Sequence, residues 1–217
     1  MTVLIAHAQI KKGEILLGGN VGFSAQSNSP GDPGASYTTT ATSFYLNPSY
    51  GKAIQDNLVT GFDLTYAGST NSSDLGSVNP GQTSTGRIHS YGAGFFVRRY
   101  KNLGNGFSLF LQSRLGLSYQ KQTNENTNST DPDVNFKEYT VNLGFYPGIS
   151  YAVSRRVQLE TGFQNLVYTQ YSHQRETFQE QGSTPTDFKQ NTFSLGTSLS
   201  NSLSGFVVGV RILLGRS

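Results

Sequence analysis

Two long segments of this chain alternate between apolar residues and small or polar ones. Nearly every second residue is apolar from Phe107 to Tyr119, and again from Tyr139 to Val153. Because successive side chains of a β-strand point to opposite faces, each segment is predicted to form a ribbon with one apolar and one polar face. The pattern therefore predicts antiparallel β-structure, and the polarity of the second face decides which class of protein this is.

Eight ribbons of this kind are predicted, and many exceed the roughly five or six residues that are usual for soluble strands. They cover residues 14–25, 38–51, 58–67, 87–100, 107–120, 137–153, 157–171 and 191–214. In the last ribbon the apolar residues change from odd to even numbers, which predicts a β-bulge near Ser204 and Gly205. A strand of about 9–11 residues crosses a bilayer at a tilt, so these lengths favour a transmembrane β-barrel.

Short and long connections alternate along the chain. The short ones at residues 52–57, 101–106 and 154–156 are predicted turns, with Asn105 and Gly106 able to adopt positive φ. The long ones near residues 26–37, 68–86, 121–136 and 172–190 are rich in Ser, Thr, Asn, Gly and Pro. Short turns at one rim and long loops at the other are the layout of an outer-membrane barrel.

Composition is compatible with a membrane barrel. Only 35% of the residues are hydrophobic, and no run approaches the roughly 18 apolar residues of a membrane-spanning helix. A barrel needs only alternate residues to be apolar, so a mean hydropathy of -0.37 does not exclude it. Ala6-His7-Ala8 has the form of a signal cleavage site. We therefore predict a truncated signal-peptide remnant at residues 1–8 and one barrel domain at residues 9–217.

Several motifs and their order carry a family resemblance. They are the pattern Gly-x-x-x-Leu-Gly-Gly-x-x-Gly-Phe-Ser from Gly13 to Ser24, the hairpins at Pro48 and Pro147, and the segment Phe96-Val-Arg-Arg-Tyr100. Together they resemble the bacterial outer-membrane β-barrel domain family, with small barrels similar in architecture to OmpX and the OmpA transmembrane domain. The resemblance implies an all-β, eight-stranded antiparallel up-and-down transmembrane barrel. It also implies short periplasmic turns, long extracellular loops and a place in the outer membrane of a Gram-negative bacterium.

The polar face carries ionisable residues of both signs. An interior ion network is predicted from Glu14, Asp63, Arg98, Arg114, Glu160 and Arg211, with Asp63 and Arg114 further from the short turns. Charges inside a barrel are tolerable when they are paired and hydrogen-bonded. Glycine is concentrated on the same face, where it leaves hollows for inward aromatic side chains. The polar face is therefore predicted to fill the lumen.

Aromatic residues on the apolar face gather near the strand ends. Interfacial girdles are predicted from Phe23, Tyr66, Tyr91, Tyr119, Tyr139, Tyr171 and Phe193 at the long-loop rim, and from Tyr50, Phe107 and Tyr151 at the other rim. Part of this enrichment follows from the strand propensity of Tyr and Phe.

The remaining charges separate between the two rims. The short-turn rim carries eight basic residues against Asp56 alone, which are Lys11, Lys12, Lys52, Arg99, Lys101, Arg155, Arg156 and Arg216. At the long-loop end acidic residues outnumber basic ones. Phospholipid phosphates of the inner leaflet suit such a basic rim. Nucleic acid is a poor partner, because the basic residues form no groove with aromatic platforms.

The residue types that carry catalysis or bind metals do not form a convincing constellation. His7, His89 and His173 lack metal-ligand spacing, and Ser172-His173 offers residue types without triad geometry. The segment Asp131-Pro-Asp133-Val-Asn135 resembles the opening of a calcium loop but lacks its glycine and distal glutamate. No catalytic, cofactor-binding or metal-binding residue is therefore predicted.

The leading functional prediction is a non-enzymatic, monomeric outer-membrane barrel with a plugged interior. It would stabilise the envelope or present its loops to an external surface or protein ligand, with outer-membrane lipids around it and no cofactor. The alternatives are an outer-membrane lipid-modifying enzyme and a soluble, lipocalin-like ligand-binding barrel. The soluble barrel would turn the apolar face inward, so the direction of Leu109, Leu143, Phe163, Arg114 and Glu160 separates it from the membrane barrel.

Overall fold

The fold is described from a computed structural model, which places residues 9–29, 38–74, 83–127, 133–163, 166–179, 186–197 and 206–215. In these ranges the chain is almost entirely β-strand. The strands are β1 (Ile15–Asn28), β2 (Thr38–Gln55), β3 (Leu58–Asp74), β4 (Thr83–Gly104), β5 (Phe107–Thr127), β6 (Asp133–Ala152), β7 (Val157–Phe163), β8 (Val167–Gln179), β9 (Thr186–Thr197) and β10 (Phe206–Leu214).

The strands close into a ring of eight antiparallel positions. Consecutive strands pair from β1 to β6, and β6 then pairs with β7 through its last residues and with β8 through the rest. Strands β8 and β9 pair with each other, β7 pairs with β10, and β10 pairs with β1. Strands β7 and β8 therefore share the seventh position, and β9 and β10 share the eighth. The predicted eight-stranded, up-and-down barrel is confirmed.

The short turns lie where the sequence predicts them. Asn57 and Asn105 adopt positive φ angles of 60° and 51°, and Gly106 follows with a φ of 83°. Asparagine and glycine tolerate this left-handed conformation, so each turn joins its two strands directly.

On the long-loop side the strands continue well past their predicted ends. Strands β3 and β4, for example, remain paired from Leu58↔Arg99 to Asp74↔Thr83. The extensions are rich in Ser, Thr and Asn, and hydroxyl pairs connect neighbouring strands there, such as Ser72 with Thr85 at 3.3 Å. Hydropathy alternation does not reveal these segments because both of their faces are polar. Much of the sequence predicted to form long loops is therefore paired strand.

Two prolines interrupt the backbone ladder, and the barrel accommodates them differently. Proline has no N–H to donate, so the carbonyl opposite it loses a partner. Next to Pro48, the carboxamide of Asn47 donates to the Leu64 carbonyl at 2.8 Å and keeps the register intact. Next to Pro147, the partner strand divides into β7 and β8, and two extra residues are inserted before pairing resumes at Phe145↔Val167.

The apolar face of the barrel points outward. Leu109, Leu143 and Phe163 are exposed on the outer wall, whereas Glu160 is buried and Arg114 lines the interior. The outward residues have odd numbers in β9 and even numbers in β10, so the predicted change of phase is present. The predicted bulge at Ser204 and Gly205 lies outside the described residues. Among the described residues there is no helix long and apolar enough to cross a membrane.

An apolar cluster closes the short-turn end of the barrel. It consists of Ile10, Leu16, Ala53, Val59 and Leu213, each at most 4% exposed. Ile10 precedes β1 and is held by the 2.9 Å hydrogen bond from the Asn57 amide to its carbonyl. The segment before the first strand therefore enters the barrel mouth.

Candidate functional site: a buried ionic layer in the lumen

A charged cluster crosses the lumen above the apolar cluster. Arg98 from β4 donates to both carboxylate oxygens of Glu160 from β7 at 2.7 Å. Arg211 from β10 donates to the same carboxylate at 2.9 Å and to the Ser49 hydroxyl at 2.7 Å. Arg98 and Glu160 are each 2% exposed, so this ion pair is almost inaccessible to solvent.

Neutral polar groups complete the coordination of these charges. Gln112 accepts a 2.8 Å hydrogen bond from Arg98, and the Tyr100 hydroxyl accepts from Arg98 at 2.9 Å. Tyr100 in turn donates to Glu160 at 3.0 Å. A buried charge is stable when its partners satisfy its hydrogen bonds, and Glu160 receives four. We call Arg98, Gln112, Tyr100, Glu160 and Arg211 the ionic layer.

Aromatic rings pack around the ionic layer. The Arg98 guanidinium lies 4.4 Å from the centroid of the Phe110 ring, a cation–π contact. Phe110 lies 5.3 Å from Tyr146 and 5.7 Å from Tyr100, measured between ring centroids. Phe96, Tyr100, Phe110 and Tyr146 are all buried. Rings and ion pairs therefore fill the interior at this level.

The predicted inward hollows are present beside these rings. A methyl group at Gly148 would lie 2.3 Å from the Phe110 ring, and one at Gly61 would lie 2.7 Å from the Phe96 ring. Gly162 stands in the same way against Tyr146. Glycine on the inward face therefore provides room for the rings, as small-barrel geometry requires.

A second ion pair lies on the long-loop side of the layer. Arg114 donates to Asp63 through Nε at 2.8 Å and through Nη2 at 2.6 Å, a bidentate arrangement. Asn47 also donates to Asp63, at 3.3 Å. The pair borders a polar chamber of about 230 Å³ whose base includes Phe96, Tyr146 and Arg211. Asp63 and Arg114 therefore pair with each other and do not belong to the ionic layer.

Glu14 takes a different position from its predicted companions. Its side chain is 4% exposed, and its carboxylate accepts a 3.0 Å hydrogen bond from the Lys11 amide. Its backbone bonds to Ala53, also at the short-turn end. Glu14 therefore helps to hold the segment that carries Ile10.

All the predicted girdle residues lie in described strands, and several form ring pairs. Tyr66 and Tyr91 lie 5.2 Å apart, Tyr119 and Tyr139 lie 5.0 Å apart, and Phe107 and Tyr151 lie 4.6 Å apart. Tyr50 stacks on Phe62 at 5.3 Å. It lies higher on the wall than predicted, because Lys52 and Ile54 follow it before the turn. The remaining members are Phe23, Tyr171 and Phe193, all exposed.

The rims carry exposed ion pairs. At the short-turn end, the Lys12 amide and the Lys11 ammonium donate to Asp56, and these bonds lower the Asp56 pKa. At the other end Arg175 pairs with Asp187, which also accepts a 2.8 Å hydrogen bond from Thr177. The bond from Arg175, followed by that from Thr177, lowers the Asp187 pKa.

The structure separates the residues considered for catalysis. Ser172 is buried on the inward face of β8, whereas His173 is on the outward face and bonds to Asn191 at 2.8 Å. His89 lies 3.3 Å from the Tyr66 hydroxyl. In the described part of the chain, no three His, Cys, Asp or Glu side chains are grouped to hold a metal ion. His7 and Asp131 lie outside the described residues.

Comparisons with known proteins bear on the fold. No family model matches the chain, and a search of curated proteins finds no significant similarity. Among solved structures, the outer membrane protein OprG from Pseudomonas aeruginosa matches with a TM-score of 0.53 and 10% identity, covering 95% of this chain and 98% of that one. Neisserial surface protein A matches with a TM-score of 0.41 and 19% identity over 93% and 99% of the two chains. The transport unit of the Escherichia coli autotransporter AIDA-I matches with 0.40 and 13% over 98% and 78%.

The fold and the outer wall together define the class of protein. A closed barrel satisfies all its backbone hydrogen bonds between strands, and its exposed apolar wall suits hydrocarbon rather than water. The chain is a β-barrel protein whose outer wall suits a membrane, and its fold is that of the outer membrane protein OprG. The soluble lipocalin-like alternative is wrong, because its apolar face would have to point inward.

Sequence reasoning missed two parts of the interior. Ile10 belongs to no predicted element, although an apolar residue three positions before Gly13 is a signal for a plug. Leu16, Val59 and Leu213 have the parity of the polar face, and this exception to the alternation marks the apolar end of the lumen.

Proposed function

We propose that the protein is a non-enzymatic outer-membrane barrel with a closed lumen, which acts through its wall and its loops. Its role would be to stabilise the envelope or to contact external surfaces, as a small barrel of OmpX or OmpA architecture would. The observation that supports this proposal is the ionic layer with its aromatic surround. An aqueous channel through that level would have to displace Arg98, Glu160 and their packed rings.

Two features add to the case for closure. The apolar cluster around Ile10 and Leu213 forms a second obstruction at the short-turn end. The polar chamber on the other side holds only about 230 Å³ and has rings and Arg211 at its base. Water therefore has room above the ionic layer, but two packed levels separate it from the other side.

The experiment that tests closure is conductance in planar lipid bilayers. The purified, refolded protein is expected to give no steady channel, beside a porin as a positive control in the same membranes. Correct insertion is checked by heat-modifiable migration on gels before the recording. Steady nanosiemens-scale steps from correctly folded protein would contradict the proposal.

The extended polar strands support a role outside the membrane. Strands β2 to β6 continue beyond the girdle residues as paired, hydroxyl-rich ribbons. Such ribbons would present a stable polar surface to an external partner. Binding of the protein to intact host or bacterial surfaces, compared with a variant whose β3–β4 extension is shortened, tests this role.

A further inference from the structure

Two cations interrupt the apolar outer wall of β4. Arg99 lies opposite Leu58 on one side and Leu111 on the other, and Lys101 lies opposite Leu109. The wall continues to be apolar between these cations and the short turns, where Leu103 and Phe107 are both exposed. Arg99 and Lys101 therefore lie within the lipid-facing surface and not below it.

Neither cation has an acidic partner among the described side chains. The ion pairs found there involve Lys11, Arg87, Arg98, Arg114, Arg175 and Arg211 as the cations. A basic residue on the lipid face of a barrel destabilises it, increasingly so toward the middle of the bilayer. Two such residues at successive outward positions of one strand would therefore be stabilised by an anion from outside the chain.

A long apolar groove begins at these two cations. It runs across β4, β5, β6 and β7, encloses about 760 Å³, and is bounded by two rows of outward side chains. One row begins with Arg99 and the other with Lys101, and the register places Leu111 and Pro147 in the first row and Leu109 and Ile149 in the second. Gly148 and Gly162 lie along its floor. The groove thus has a charged end and an otherwise apolar length.

The groove also slopes in a consistent direction. In the first row Arg99 is six residues from Asn105 in its turn, and Phe163 is seven residues from Arg156. In the second row Lys101 is four residues from Asn105, and Thr161 is five residues from Arg156. Strands of a barrel are tilted, so a row of hydrogen-bonded neighbours climbs around the wall. An acyl chain lying in the groove would therefore start near the short-turn side and rise slightly, by the length of one residue, toward the middle of the bilayer.

We infer that this groove binds one anionic phospholipid of the inner leaflet, with its phosphate between Arg99 and Lys101 and an acyl chain along the apolar length. The short-turn side is the periplasmic side of an outer-membrane barrel, so the occupant comes from the leaflet on that side. Two cations without a carboxylate favour a head group with net negative charge. A zwitterionic head group would bring an ammonium toward them.

Retention depends on the head group rather than on hydrophobic burial. The acyl chain of a lipid is already in hydrocarbon, so moving it into the groove removes little apolar surface from water. Charge-assisted hydrogen bonds to the phosphate, together with close packing in the groove, provide the preference. The inference rests on embedding in the outer membrane and is independent of whether the lumen is closed.

Native mass spectrometry of the full chain in detergent micelles tests the site. Phosphatidylglycerol and phosphatidylethanolamine with identical acyl chains are added in turn, and bound lipid is counted. We expect about thirtyfold stronger retention of phosphatidylglycerol, as two cations near a membrane surface would give. The Arg99→Gln/Lys101→Gln variant is expected to lose this preference. Ile149→Trp, which crowds the apolar length of the groove, is expected to weaken retention of both lipids.

The control variant is Arg155→Gln/Arg156→Gln, which removes two positive charges from the short turn between β6 and β7. It is expected to keep the preference, and all variants are first shown to be folded by heat-modifiable migration. Equal retention of the two lipids by the unmodified protein, or equal loss in the control variant, would overturn the inference. None of these results would alter the conductance result that tests the closed lumen.

Discussion

Replacing Glu160 by glutamine is the most direct perturbation of the ionic layer. The carboxylate accepts four hydrogen bonds, two from Arg98 and one each from Arg211 and Tyr100. In Glu160→Gln the two guanidinium groups lose their shared negative charge, and the new amide group would bring donors toward donors. Removing one partner of a buried ion pair costs about 3–5 kcal/mol, because the other charge stays buried without compensation.

The assay is equilibrium urea unfolding in lipid vesicles, with the fraction folded read from migration of unheated samples on gels. With a slope of about 2 kcal/mol per molar urea, a loss of ~4 kcal/mol lowers the midpoint by ~2 M. The matched control is Glu125→Gln, which removes a carboxylate from an exposed pair with Arg87 at 2.8 Å. Exposed pairs contribute about 0–1 kcal/mol, so the control should unfold almost like the unmodified protein. A Glu160→Gln variant within about 1 kcal/mol of the unmodified protein would refute the ionic layer as a dry, coupled unit.

Three further predictions use the same unfolding assay or hydrogen exchange. Gly148→Ala places a methyl group 2.3 Å from the Phe110 ring and 2.5 Å from the Thr161 carbonyl, and overpacking of this kind should lower the free energy of unfolding by about 1–3 kcal/mol. The control Gly22→Ala, whose methyl group would have its nearest atom at 3.9 Å, should change little. Equal effects of the two substitutions would contradict the packed lumen. Asn47→Ala leaves the Leu64 carbonyl without a donor and should lower the free energy of unfolding by about 1–3 kcal/mol. Adding Pro48→Ala restores a backbone N–H and should recover part of that loss. If the effects of the two substitutions simply add in the double variant, this explanation is contradicted. The Asp187 pKa is lowered by Arg175 and Thr177, so the contribution of Asp187 to stability is full above the ordinary aspartate pKa and is lost as the pH falls below it. At such low pH, amide exchange in β8 and β9 should accelerate relative to exchange in β3. If the wild-type protein and the Asp187→Asn variant exchange alike at neutral pH, Asp187 makes no such contribution.

Alternation made the fold and the direction of the side chains predictable from the sequence. A strand has a period of two, so the parity of Leu109, Leu143 and Phe163 was enough to place them on one wall. Short turns with Asn57 and Asn105 then set which strands are neighbours. The same parity places Arg98, Glu160 and Arg211 on the inward face together.

The pairing of the interior charges was less accessible. Parity shows that Asp63 and Arg114 are inside, but not that they meet each other while Glu14 bonds to Lys11. That outcome depends on the stagger of β3 against β5, which parity does not record. Periodicity shows whether a side chain points into the lumen or outward, but it gives little information on the position of that side chain along the barrel axis.

The strand ends were also beyond the reach of the apolar pattern. Beyond the membrane the strands are polar on both faces, so their alternation disappears while backbone pairing continues, as from Ser69↔Ile88 to Asp74↔Thr83. The division of the seventh position into β7 and β8 has a local cause in Pro147, whose effect falls on a neighbouring strand. A sequence pattern read one strand at a time does not contain that effect.

The central claim, that the apolar parity faces lipid while the polar parity faces the lumen, has a direct optical test. The chain contains no tryptophan, so single substitutions report one position each. Leu46→Trp and Tyr45→Trp are adjacent on β2 and nearly equal in depth, with Leu46 on the outer wall and Tyr45 bordering the inner chamber. In vesicles of brominated phospholipid, Leu46→Trp fluorescence should be strongly quenched and Tyr45→Trp fluorescence only weakly. Stronger quenching at position 45 than at position 46 would contradict the account.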